Sequence, residues 1–134
     1  MPKVEFQKPE GFYENVEAFL YAVDITEPFI LAIFASHLFF FLLIILFRKN
    51  SRIIMFIFVF LLGLCYILET INTYLNQNWQ SLVKQNYFDK SGLFVCIMIG
   101  IPCLVNSCLI VVISICSTIS SLTEFVKLKK QKKE

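Results

Sequence analysis

The chain has 134 residues, of which 57% are hydrophobic and only 16% are charged, and its mean hydropathy is +0.72. A soluble domain of this length could not bury so much apolar surface, so the composition excludes an ordinary soluble globular protein. The net charge of +2 decides little, but apart from Glu69 no charge falls in 29–47, 53–75 or 93–122. This pattern predicts an all-α membrane protein with three transmembrane helices.

Residues 1–27 form an acidic N-terminal segment with six acidic residues and two lysines. Within 10–24, apolar residues recur at helical spacing and acidic residues fill the opposite side. This spacing predicts an amphipathic helix that lies on the membrane or on the helix bundle. Its apolar positions are Phe12, Val16, Phe19, Leu20 and Val23.

The first transmembrane helix is predicted over 28–47, with Pro28 in the first turn, where proline is tolerated. His37 lies near its middle. A polar turn, 48–52, then makes the second helix an antiparallel neighbour of the first. The second helix is predicted over 53–75. As a single helix it is about 33 Å long, enough to cross a hydrocarbon core.

The segment 76–92 is predicted to be a loop pressed against the membrane interface, because Trp79, Tyr87 and Phe88 are typical of an aromatic belt. The third helix is predicted over 93–122. At about 45 Å it is longer than the membrane core, so we expect it to be tilted, or bent at Pro102, and to project from the membrane. It leads into a basic C-terminal tail, 123–134.

Small residues repeat every seven positions along the third helix. Such a stripe lets another helix approach closely, and a pore lining is the alternative interpretation. The stripe therefore predicts close helix packing and a homo-oligomer as one form of it. Its members are Gly100, Ser107, Ser114 and Ser121.

Four polar residues fall within the predicted membrane helices, namely His37, Glu69, Asn72 and Asn106. Their depths would allow His37, Glu69 and Asn106 to meet inside the bundle. One interpretation is a proton or ion relay built on a coupled histidine–carboxylate pair. The other is interhelical hydrogen bonding, worth about 0.6–2 kcal/mol per contact, that fixes the packing. We favour the structural interpretation.

The sequence gives little support for catalysis. It has no Ser/His/Asp pattern, no glycine-rich phosphate loop and no cysteine–histidine metal cluster. We therefore predict a protein that is not an enzyme and that uses no cofactor or metal.

The basic residues predict the orientation of the chain in the membrane. With three spans, the turn 48–52 and the tail share one side and carry eight of the lysines and arginines, whereas the other side carries four. The positive-inside rule then places the C-terminus in the cytosol or nucleoplasm and the N-terminus in a lumen.

The basic tail has three interpretations. It is a membrane anchor on anionic lipid, at about 1 kcal/mol per lysine near the surface, a nuclear-localisation patch, or a contact for nucleic-acid phosphates that does not read bases. Composition alone favours the first interpretation. The lysines are Lys127, Lys129, Lys130, Lys132 and Lys133.

Several short motifs along the chain match a known family in order and spacing. They are Thr26-Glu27-Pro28-Phe29, His37, Glu69 with Asn72, Asn78-Trp79, the stretch from Tyr87 to Phe94 and the stretch from Pro102 to Asn106. In these residues the chain resembles the transmembrane protein 18 family, a group of small nuclear-envelope membrane proteins. The resemblance covers about residues 24–126.

The resemblance implies three spans, a lumenal N-terminus in the nuclear membrane and a basic end that faces the nucleus. It further implies nuclear localisation and contact of that end with DNA, chromatin or nuclear-pore-associated proteins, in a transcription-related role. We therefore expect a multi-pass protein of the inner nuclear envelope or endoplasmic reticulum that binds through its tail. The alternative is a small proton or ion conductor built on His37, Glu69 and Asn106.

Overall fold

The computed structural model describes residues 11–88 and 90–133. In these ranges the chain is helical and contains no strand. Part of the predicted N-terminal segment, residues 1–10, lies outside the described residues. The helices are α1 (Phe12–Ala22), α2 (Pro28–Leu46), α3 (Ser51–Tyr66), α4 (Leu68–Asn78) with a following 3₁₀ turn (Trp79–Ser81), and α5 (Leu93–Gln131).

Two of these helices, α2 and α5, are long and apolar enough to cross a membrane. The helix predicted over 53–75 is not one helix: α3 and α4 meet at Ile67 and are bent by 59°. Taken together, the bent pair has the length and composition of a third span. The sequence contains no proline near Ile67, so the bend was not predicted.

The predicted bounds of the first helix agree closely with α2, which begins at Pro28 and ends at Leu46. The connecting turn is 47–50, and Asn50 caps α3 by accepting a hydrogen bond from the backbone N–H of Ile53 at 3.4 Å. We call the end of the bundle that holds this turn the turn end, and the opposite end the loop end.

The third predicted helix is longer in the structure than in the sequence analysis. Its regular α-helical part continues from Ile101 to Gln131, through most of the segment predicted as a tail. A π turn, Cys96–Gly100, comes directly before this part. The irregularity near Pro102 is thus a local widening of the helix, and α5 runs as one helix from Leu93 to Gln131.

The core of the bundle has two clusters. The cluster at the turn end joins α2, α3 and α5, and consists of Ile44, Ile54, Ile57, Leu61, Cys103 and Ile110. The cluster at the loop end includes α1, α4 and the loop, and consists of Val23, Ile30, Ile33, Leu75, Val83, Phe88, Phe94, Val95 and Met98. Large apolar side chains elsewhere on α2, α3 and α5 are exposed, as expected for helices surrounded by lipid.

The amphipathic helix α1 packs on the loop end of the bundle. Val23 is buried there, and the ring of Phe19 lies 6.0 Å from the ring of Phe94. Leu20 points outward, with 62% of its surface exposed. Contact with the bundle thus accounts for only part of the apolar stripe on α1.

Candidate functional site

His37 links α2 to α5 inside the bundle. Its Nε2 atom lies 3.1 Å from the backbone carbonyl oxygen of Met98. In a regular α-helix that carbonyl accepts a hydrogen bond from the N–H four residues later, and residue 102 is a proline, which has no N–H. Because a carbonyl oxygen can only accept, Nε2 carries the proton and donates it. His37 therefore supplies a donor to a carbonyl whose usual α-helical partner, residue 102, has no N–H.

The second ring nitrogen of His37 has a different environment. Nδ1 is buried and has no hydrogen-bond partner among the described residues. A proton relay through an imidazole requires a partner at each ring nitrogen, so that one proton arrives as another leaves. Among the described residues the partner of this ring is the Met98 carbonyl at Nε2, a contact that joins two helices and so suits the structural interpretation of His37.

Glu69 does not make the predicted contact with His37. It lies in the first turn of α4, and its side chain is exposed. The inward face of α4 is formed by Leu68, Ile71, Asn72 and Leu75. Successive residues of a helix are rotated by about 100°, so Glu69 is turned away from this face. An acidic residue in a first turn also stabilises the helix dipole.

Asn72 and Asn106 are both buried, with 8% and 6% of their surfaces exposed. The side chain of Asn72 lies against Gly92, because a Cβ atom added there would be 3.7 Å from Asn72 Nδ2. Gly92 has φ of 66°, a conformation that favours glycine. Asn106 lies on the face of α5 that also buries Cys103 and Ile110. Asn72 and Asn106 are thus buried in the bundle, whereas Glu69 is exposed.

The stripe of small residues on α5 is divided between two roles. Gly100 is buried against α4: a Cβ atom at this position would lie 2.9 Å from Leu68 Cδ1. Ser107 is buried too, and its hydroxyl donates to the carbonyl of Cys103 at 2.8 Å. Only Ser114 and Ser121 are exposed. A homo-oligomer through the stripe stays a prediction, and these two serines are the positions available to it.

The tail lysines lie at the far end of α5. The helix continues to Gln131, and Lys132 and Lys133 follow it. All five lysine side chains are exposed. No residue of α5 after Ile110 is buried in the described part of the chain. The basic residues are therefore carried on a helix that has left the bundle.

A buried carboxylate at the loop end was not predicted from the sequence. Glu27 is only 2% exposed, and its oxygens accept hydrogen bonds from the Tyr87 hydroxyl at 3.0 Å and the backbone N–H of Lys84 at 3.3 Å. The Tyr87 hydroxyl in turn accepts from the N–H of Asp24 at 3.2 Å. Glu27 thus fastens the loop onto the start of α2. The sequence motif Thr26-Glu27-Pro28 contains this carboxylate but does not indicate that Tyr87 and Lys84 are its hydrogen-bond partners.

Asp24 orders the short connection that precedes Glu27. Its carboxylate accepts from the hydroxyl of Thr26 at 2.6 Å and from the Thr26 backbone N–H at 3.0 Å. These two hydrogen bonds lower the pKa of Asp24, because both stabilise the charged carboxylate. The connection is therefore held in a fixed turn on the exposed side of the bundle.

Comparison with known proteins identifies related sequences. The model of the family described as Transmembrane protein 18 matches residues 18–134. Transmembrane protein 18 of Danio rerio is 33% identical over 119 residues, which cover 89% of this chain and 78% of the relative. Transmembrane protein 18 of Xenopus laevis is 30% identical over 112 residues, which cover 84% and 82%. No solved structure matches the chain.

The hydrogen bond between His37 and Met98 predicts a specific coupling with Pro102. His37→Leu should lower the free energy of unfolding by about 1 kcal/mol, the usual scale of an interhelical hydrogen bond in a membrane. Pro102→Ala restores a backbone N–H at residue 102. In the Pro102→Ala protein, His37→Leu should therefore lower the free energy of unfolding by less. The measurement is a double-mutant cycle of unfolding in mixed micelles.

A matched control uses Ser36, a neighbour of His37 whose hydroxyl donates to the carbonyl of Ile33 at 2.7 Å within α2. The effects of Ser36→Ala and Pro102→Ala on the free energy of unfolding should be additive, because the two sites share no partner. Equal costs of His37→Leu with and without Pro102 would contradict the assigned role of the histidine.

Proposed function

This chain belongs to the transmembrane protein 18 family, and on that basis we propose that it is a non-enzymatic, multi-pass protein of the nuclear envelope and endoplasmic reticulum. Its proposed role is to present the basic end of α5 to the nucleoplasm or cytosol. There the lysines contact DNA, chromatin or a regulatory protein, in a transcription-related tethering role.

The observation that carries this proposal is the extension of α5 beyond the bundle. The helix is continuous from Ile101 to Gln131, and no described residue after Ile110 is buried. An unstructured tail would spread its charges over the membrane surface. A helix instead holds them along its axis, away from the bundle. The extension therefore supports a role in which the lysines are presented to a partner.

The spacing of the lysines along α5 supports a partner in solution. Thr118 lines the cleft that Arg48 and Lys49 also line. Lys127 follows Thr118 by nine residues, about 14 Å along the helix axis, and Gln131 by about 20 Å. Electrostatic attraction is screened within about 8 Å at physiological ionic strength. The tail lysines therefore lie more than one screening length along α5 from this cleft.

The tail chemistry supports contact with phosphates but not recognition of bases. Its cations are all lysines, and it contains no arginine. A lysine ammonium is a compact point charge, whereas bidentate recognition of guanine is best suited to arginine. We therefore assign the tail a weak contact with DNA that is independent of sequence.

The alternative function, a proton or ion conductor, depends on Glu69 facing His37 within the membrane. The Glu69 side chain is exposed, and the hydrogen bond of the His37 ring goes to the backbone of Met98. In this proposal the polar residues of the membrane helices act in packing.

We expect the C-terminus to face the cytosol or nucleoplasm, because the turn end and the tail carry most of the lysines and arginines. Protease added to sealed vesicles should remove a C-terminal tag and leave an N-terminal tag intact, and imaging should locate both tags at the nuclear rim. Protection of the C-terminal tag would contradict the orientation. Absence from the nuclear rim would contradict the proposed location.

Binding of DNA by the tail should be weak and steeply dependent on salt. Five lysines can neutralise about five phosphates, so the slope of log K against log salt concentration should be no steeper than about −4.5. The protein would be measured in nanodiscs of neutral lipid, where anionic lipid does not compete.

Replacing the five tail lysines with glutamine should abolish the DNA binding, whereas Arg48→Gln with Lys49→Gln, in the turn between α2 and α3, should leave most of it. Nanomolar binding at physiological salt with clear sequence preference would show that another surface recognises the DNA. Equal binding by the variant without tail lysines would contradict the proposed function.

A further inference from the structure

A cleft of about 400 Å³ opens between α3 and α5 at the turn end of the bundle. Its lining includes the apolar side chains of Ile54, Phe58 and Ile110. Ile54 and Ile110 are buried core residues, so the cleft reaches the interior of the bundle. Arg48 and Lys49 lie at its rim.

The cleft lies where the buried face of α5 ends. Ile110 is the last buried residue of α5 in the described chain, and the next residues facing α3 include the small side chains of Ser114 and Ser117. A larger side chain at either serine would fill the space. The Thr118 hydroxyl, also at the cleft, donates to the carbonyl of Ser114 at 2.8 Å. Its hydrogen bond therefore stays within α5.

The chemistry of the lining changes with depth. Two cationic side chains stand at the rim, no acidic residue among those that the structure describes lines the cleft, and the core residues at its deeper part are apolar. Met55 and Val111, at the side of the cleft, are 61% and 43% exposed, so the cleft opens toward the surrounding lipid. A ligand that fits must combine a negative head with an apolar chain that enters from the bilayer.

We propose that this cleft binds one anionic phospholipid. Arg48 and Lys49 hold its phosphate, and an acyl chain lies against Ile54, Phe58 and Ile110. Basic pockets between membrane helices are suited to anionic headgroups, and the cations stand at the level where such headgroups lie. The bound lipid fills the gap where α5 leaves the bundle and thereby supports the projecting helix.

A second copy of the chain fits this cleft less well. A helix with side chains is about 10 Å across, so 400 Å³ corresponds to about one turn. The part of α5 that follows the cleft carries lysines, which would meet Arg48 and Lys49 with like charge. Charge and volume both favour a lipid.

The test is native mass spectrometry of the full chain in neutral detergent, titrated with phosphatidylserine or with phosphatidylcholine. We expect one phosphatidylserine to bind in preference to phosphatidylcholine. Arg48→Gln with Lys49→Gln should weaken that binding by about 30-fold, the effect of two cations near a headgroup. The matched control, Lys132→Gln with Lys133→Gln, removes the same charge from the tail and should leave the binding unchanged.

Ser114→Leu tests the apolar part without altering charge. Because Ser114 is exposed, the variant should fold, and circular dichroism checks its helix content. The folded variant should lose the bound lipid. Equal binding of phosphatidylserine and phosphatidylcholine would overturn the proposal. An equal loss of phosphatidylserine binding in the two double variants would overturn it too. So would competition by soluble glycerophosphoserine as strong as that by the lipid, or a dimer that excludes lipid.

Discussion

The structure depends on the need to satisfy every backbone polar group inside a membrane, where water is not available. Pro102 leaves the Met98 carbonyl without its usual donor, and His37 on α2 supplies one. This single hydrogen bond ties the first membrane helix to the last at the π turn. Next to it, Gly100 lets Leu68 approach closely, which brings α4 onto the same part of α5. The most irregular segment of α5 is thus the one that other helices hold.

The two ends of the bundle differ, and the difference has functional consequences. At the loop end, Glu27 and Tyr87 fasten the connecting loop over an aromatic core. At the turn end, a cleft with a basic rim lies between α3 and α5, and α5 continues with its lysines exposed. In the function proposed above, partners are contacted at this open, basic end.

Long apolar runs gave reliable predictions, whereas contacts between helices did not. The first helix was predicted nearly to the residue, because Pro28 and the polar turn bound it. The bend at Ile67 was not predicted, since the apolar run has no proline there. Leu68, directly after the bend, packs on Gly100, a contact between distant parts of the chain that has no local signal. The link between His37 and Pro102 could have been found, because a proline in an apolar run frees the carbonyl four residues before it.

The central claim is that His37 acts as a donor to the backbone of α5. Solid-state NMR of the protein in lipid, with ¹⁵N-histidine and carbonyl-¹³C methionine, tests this directly, because His37 is the only histidine. Our account predicts a ring protonated at Nε2 alone, with magnetisation transfer from Nε2 to the Met98 carbonyl that persists in Met55→Leu. A ring protonated at Nδ1, or no transfer to Met98, would contradict it.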